Sequence, residues 1–189
     1  LVKPLGHYPR LDSTALPEQA VRDILASAFQ SAGQRCSALR VLYVQEDAAE
    51  RTIEMLKGAM DELTRGNPWD LATDIGPIID EPARKKIQSY VDGNKAKVIH
   101  AMKAPASGTF VAPTVVKVGG IGEIPEEIFG PVLHVATFKA DEIDSVIDAI
   151  NASGYGLTFG MHTRISSRVK KVSAAVHAGN IYVNRNQIG

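Results

Sequence analysis

Apolar side chains recur at helical spacing early in the chain. Val21, Ile24, Leu25, Ala28 and Phe29 fall on one face of residues 17–29, with Ser13 and Thr14 as candidate caps and Pro17 in the first turn. The pattern predicts a helix running up to Gly33. Directly after the only cysteine, "LRVLYV" is a compact apolar run that reads as a buried strand. Ile53, Leu56, Met60 and Leu63 predict a second helix over 48–66, closed by Gly66. A shorter helix follows over 82–93, then a strand at 97–101, an extended segment over 110–118 interrupted by Pro113, and a strand at 131–138. Ile143, Val146, Ile147 and Ile150 predict a helix over 141–153, followed by a strand at 157–163, a helix over 165–176 and a strand at 180–184. Strands alternating with helices predict an α/β domain with a mainly parallel, twisted sheet covered by helices on both faces. The first dozen residues carry no period and contain Pro4, Gly6 and Pro9. They read as a leader or remnant of an inter-domain segment, ahead of one domain over 13–189.

Composition narrows the function classes. Lysine plus arginine equals aspartate plus glutamate at 21 each, so no net field draws the chain to nucleic acid or an anionic membrane. A single cysteine excludes an intramolecular disulfide, and the apolar runs fall short of the roughly 20 residues that span a bilayer. A reducing, cytoplasmic compartment is the expectation. The opening residues lack the basic and apolar regions of a secretory signal, and the chain does not begin with Met. The five histidines show no helical pairing, so no metal site is expected. "VGGIGEIP" and "GYGLTFG" lack the spacing of a phosphate cradle and read as turns, while "RVKK" reads as a solvated face.

Two stretches carry candidate chemistry. Cys36, in "FQSAGQRCSALR", is either an inert buried residue or a nucleophile. Gly33 lets the backbone turn sharply before it, and the adjacent Arg35 favours thiolate over thiol, which helps the second reading. In "IPEEIFGPVLHV", adjacent Glu126 and Glu127 do not project to the same side of a regular element and are not an acid/base pair. Taken alone, each reads as a solvated loop charge, Phe129 as a core anchor and Gly130-Pro131 as a turn.

Taken together, "FQSAGQRCSALR", "TDIGPIID", "GTFVAPTVV", "EEIFGPVLHV", "NASGYGLTFGMHTR" and "AGNIYVNR" resemble the catalytic domain of the aldehyde dehydrogenase superfamily, in order and spacing, over residues 13–189. "AGQRCSALR" and "GNIYVNR" are most similar to the L-glutamate γ-semialdehyde (Δ1-pyrroline-5-carboxylate) dehydrogenases, including the C-terminal part of bifunctional PutA proteins of proline oxidation. The resemblance implies an NAD-dependent oxidoreductase with Cys36 as nucleophile, its N–H as half of an oxyanion hole, Glu127 bonding the nicotinamide ribose, Phe129 packing beside that ribose, and Ser37 facing the small aldehyde substrate. It also implies what is missing. "PLGHYPRL" has no glutamate where the superfamily carries its general base, and neither an N-terminal NAD-binding domain nor the glycine-rich substrate loop that follows this region is present. The expectation is a catalytic-domain fragment, inactive alone and binding NAD weakly or not at all, whose uncovered apolar surface promotes self-association or docking with an NAD-binding domain. A non-catalytic folded remnant serving assembly and an NAD-independent thiol esterase are the alternatives.

Overall fold

The computed structural model describes residues 7–188. Among these described residues, seven strands form one sheet: β1 (His7–Leu11), β2 (Val41–Gln45), β3 (Val98–Ala101), β4 (Thr114–Lys117), β5 (Val132–Phe138), β6 (Thr158–His162) and β7 (Asn180–Val183). Their order is β3-β4-β5-β2-β1-β6-β7, and every pairing is parallel except β3 with β4. Five α-helices connect them: α1 (Pro17–Phe29), α2 (Glu46–Asp61), α3 (Glu81–Gly93), α4 (Ile143–Ala152) and α5 (Ser166–Ala175). The crossover from β1 to β2 and those from β5 to β6 and β6 to β7 run in opposite directions along the sheet. Right-handed connections therefore place α1 on one face and α4 and α5 on the other. This is the parallel-rich α/β architecture that the alternating pattern predicts.

The core follows from the same periodicities. Every residue of β2 is buried, as is β5 apart from Thr137, because strands with helices over both faces have no solvent side. From α1, Val21, Ile24, Ala28 and Phe29 enter the core; from α2, Leu56 and Met60; from α4, Ile143, Val146, Ile147 and Ile150.

Three boundaries depart from expectation. His7–Leu11, which carries no apolar alternation, is a strand in the middle of the sheet, its backbone paired in parallel with β2 and β6. Pro9, which cannot donate to a ladder and normally marks an edge, hid it. Pro4 and Gly6 lie outside the described residues. Helix α1 stops at Phe29 rather than Gly33, because Ser31, Ala32 and Gly33 adopt left-handed dihedrals, φ 55°, 52° and 66°. Helix α2 ends at Asp61, and the chain from Leu63 turns back so that Thr64 and Gly66 bond to Asp74 and Ile75.

Candidate active site

Cys36 lies in the loop between α1 and β2 and is exposed. The loop is fixed at both ends. On its return the Leu39 N–H donates to the Ser27 carbonyl of α1 at 2.8 Å, and Ala38 N–H donates to the Arg35 carbonyl at 3.1 Å. On the incoming side, three consecutive left-handed residues make the sharp turn that projects the cysteine outward. Two of them are not glycine, a conformation that persists only where neighbours hold it. Arg35 Nε donates to Ser31 Oγ at 3.0 Å, and Gln34 Nε2 donates to the carbonyls of Ser31 and Pro77. Gln34 Oε1 accepts from Ile79 N–H at 2.8 Å, so one amide side chain also ties the loop to the segment preceding α3.

The third of those residues has a second constraint. A Cβ on Gly33 would lie 2.2 Å from the carbonyl oxygen of Gly130, and a Cβ on Gly130 would lie 2.7 Å from Ile87 Cδ1 of α3. The cysteine loop, the "EEIFGP" loop and α3 are therefore stacked at a spacing that only glycines permit.

The two loops are also joined by a charge. Arg40, at the mouth of β2, donates from Nε to Glu127 Oε1 at 2.9 Å, from Nη1 to the Gly33 carbonyl at 2.6 Å and from Nη2 to the Arg35 carbonyl at 3.0 Å. Its side chain is 4% exposed and that of Glu127 is 1% exposed. Its guanidinium lies 4.6 Å from the centre of the Phe129 ring, a cation–π contact. Burial, the largest effect, lowers the pKa of Arg40, while the bond to Glu127 and the charge of Glu127 oppose that shift.

These placements revise the residue-by-residue reading of "EEIFGP". Glu127 is not a solvated charge; it is buried against Arg40 because a carboxylate taken out of water needs a fixed cation. Glu126 does face solvent, where it meets Lys86 of α3 at 2.9 Å. Phe129 is not a core anchor: it is 45% exposed, and Ile128 takes the buried position. Ala83, Lys86 and Ile87 of α3, with Glu127, Ile128 and Phe129, line a cleft of about 190 Å³. Ser37 is half-buried beside the cysteine. Arg40, Gln34 and Lys86 escaped the sequence reading. Only Arg40 left a signal, as a charge placed inside the apolar run "ALRVLYV".

Behind the site, His134 of β5 donates from Nδ1 to the Arg40 carbonyl at 2.9 Å, since a carbonyl can only accept. Its Nε2 then accepts from the Tyr90 hydroxyl at 2.8 Å. Burial pulls its pKa down to about 4, so the imidazole is neutral at neutral pH.

The parallel-rich fold that carries this cysteine loop is shared with proteins of known structure. The aldehyde dehydrogenase family pattern matches residues 11–189, and the chain belongs to that family. Among individual relatives, the bifunctional protein PutA of Escherichia coli K12 is 49% identical over 95% of this chain, which spans 14% of that relative's length. The 1-pyrroline-5-carboxylate dehydrogenase of Bacillus cytotoxicus is 34% identical over 95% of this chain, which spans 35% of that enzyme. The crystal structure of a PutA mutant from Bradyrhizobium japonicum superposes with a TM-score of 0.93 at 45% identity, covering 97% of this chain and 19% of that one. A 1-pyrroline-5-carboxylate dehydrogenase from Thermus with bound NAD superposes with a TM-score of 0.87 at 29% identity, covering 96% of this chain and 36% of that one. No helix among the described residues is long and apolar enough to cross a membrane.

Proposed function

We propose that this chain supplies the cysteine half of an NAD-dependent dehydrogenase that oxidises L-glutamate γ-semialdehyde to glutamate. The observation that supports it best is the Arg40 clamp, which holds the loop presenting Cys36 against the loop presenting Glu127 and Phe129. The residues around the neighbouring cleft fit the nicotinamide ribose end of NAD. Glu127 of the cleft wall, its side chain 1% exposed, is assigned to accept hydrogen bonds from vicinal hydroxyls once the ribose enters and brings its carboxylate within reach; Phe129 offers a half-exposed aromatic face, and Lys86 provides a cation at the rim. NAD, when bound, supplies the hydride acceptor.

The chain's own residues carry the covalent part. The Cys36 thiolate adds to the aldehyde carbon, making a C–S bond while the carbonyl π pair moves to oxygen. The Cys36 N–H donates to that oxygen as half of an oxyanion hole, and Ser37 faces the substrate. Cys36 thus holds the substrate first as a thiohemiacetal and, after oxidation, as a thioester. Water attacks the thioester, releasing the carboxylic acid and restoring the thiol. None of these steps assigns a general base to the chain, and a positioned base contributes roughly 10²–10⁴-fold. Turnover by the chain alone is therefore at background, and NAD is held weakly.

The relatives are longer, and the 66–80 loop displays Trp69, Leu71 and Ile79 at 91%, 104% and 84% exposure. We assign this loop to docking against an NAD-binding domain. The test is complementation. Mixing this chain with a separately expressed NAD-binding half of a PutA relative should generate NADH from glutamate semialdehyde, and Cys36→Ala should abolish it. A mixture in which both parts associate yet no NADH forms, or in which Cys36→Ala retains the rate, overturns the reading.

A further inference from the structure

Arg40 touches both halves of the site at once. Its three nitrogens are each committed, one to the Glu127 carboxylate and two to carbonyls just ahead of Cys36, that of Gly33 at the end of the turn and that of Arg35 after it. The Gly33 carbonyl belongs to the third left-handed residue, so the guanidinium grips the turn where its backbone is least common. Its face also covers Phe129. A planar fork reaches three acceptors in fixed directions, whereas a lysine in its place carries one nitrogen and reaches them only in alternation.

The backbone of Arg40 is fixed as firmly as its side chain. Its carbonyl accepts from both the His134 N–H of the main chain and His134 Nδ1, each at 2.9 Å, and His134 is in turn held by Tyr90 of α3. The guanidinium therefore projects from an immobile base. A shift of the Glu127 carboxylate is passed to the cysteine turn by the same rigid group, instead of being absorbed by the loop between.

We infer that Arg40 is the positioning residue of this site: it sets the conformation of the cysteine turn and couples it to occupancy of the Glu127 and Phe129 subsite. The coupling half rests on the NAD reading proposed above, whereas the turn-setting half does not. When hydroxyls bond to Glu127, the carboxylate shares its charge between them and Arg40, and the grip on the Gly33 and Arg35 carbonyls changes with it.

The experiment is alkylation of Cys36 by iodoacetamide, followed by intact mass across pH 6–9, with and without millimolar NAD, in the native chain and Arg40→Lys. Arg40→Lys keeps the buried charge and should keep a cooperative unfolding transition. Its nucleotide-free alkylation rate should fall about fivefold or more at every pH, because charge without the fork does not hold the turn. NAD should change the native rate and leave that of Arg40→Lys unaltered. A folded Arg40→Lys that alkylates within about twofold of the native chain, with its NAD response intact, overturns the inference. A native chain insensitive to NAD, alongside a slowed Arg40→Lys, removes the coupling and leaves the turn-setting role standing, while the NAD reading is decided separately by the complementation experiment. If Arg40→Lys does not fold, the double replacement Arg40→Met with Glu127→Gln removes both buried charges together and carries the same comparison. Native-like alkylation in that folded protein overturns the inference equally.

Discussion

At the scale of single residues, buried polar groups decide more than exposed ones. His134 is neutral in the fold, with a pKa near 4, and is free to protonate near 6.5 when unfolded. The unfolded chain therefore binds more protons between those values. Stability from this residue is fully present above about pH 6.5 and is lost as pH falls toward 4, by roughly 3 kcal/mol in all. Urea unfolding from pH 8 to 4 should show this acid limb, and His134→Gln should flatten it while lowering stability at pH 8. Gly33 is the other decisive position. Gly33→Ala combines a left-handed φ with a Cβ facing backbone only 2.2 Å away, and neither can relax alone. The strain alone should cost about 1–3 kcal/mol, read as a drop in the urea midpoint. Cys36 stood out in the sequence because its motif surrounds it, and it lies exposed on its loop. The burial of Glu127 was not legible, because its partner lies 87 positions earlier and no local period links them.

At the scale of elements, the helices and most strands were readable because their apolar periods match the faces they bury. Helix α4 illustrates this: Ile143, Val146, Ile147 and Ile150 are all buried, as their spacing demands. Helix α3 starts where Asp80 Oδ1 accepts from the Ala83 N–H at 2.8 Å, with Pro82 in its first turn. Asp80→Ala should lower stability by about 1 kcal/mol through loss of that cap, measurable by denaturant unfolding. Strand β1 was not readable, since pattern rules reject a proline in a central strand, and its neighbours β2 and β6 come from distant sequence. Removing residues 1–12 should abolish cooperative unfolding, because β2 and β6 then have no strand between them. A truncated chain that still unfolds in one sharp transition, followed by circular dichroism, would contradict this assignment of β1.

At the scale of the whole molecule, a balanced total charge coexists with exposed Trp69 and Leu71. These side chains stand on a tight loop. Asn67 Oδ1 accepts from the Trp69 N–H and Asp70 Oδ1 from the Ala72 N–H, which fixes the tip and displays both apolar groups to solvent. Such display favours association with another surface. Sedimentation of the chain alone should show concentration-dependent self-association, and a Trp69→Ser, Leu71→Ser protein should remain monomeric with an unchanged melting temperature. The family resemblance implied an uncovered apolar surface but not its location, because exposure of a loop tip is set by tertiary packing.

The central place of β1 has a consequence for how the chain acquires its structure. Its backbone runs beside β2 over Arg10 and Leu11 and beside β6 from His7 to Leu11, so most of its ladder waits for residues near the other end of the chain. A ribosome must deliver β6 before β1 can finish pairing. Closing so long a loop is entropically late, and such non-local topologies fold slowly. Once β5 is made, β3, β4, β5 and β2 have all their partners in hand, while β1 has only its short register with β2 and an open edge where β6 will lie. Of the seven described strands, the one synthesised earliest is among the last to be fully secured.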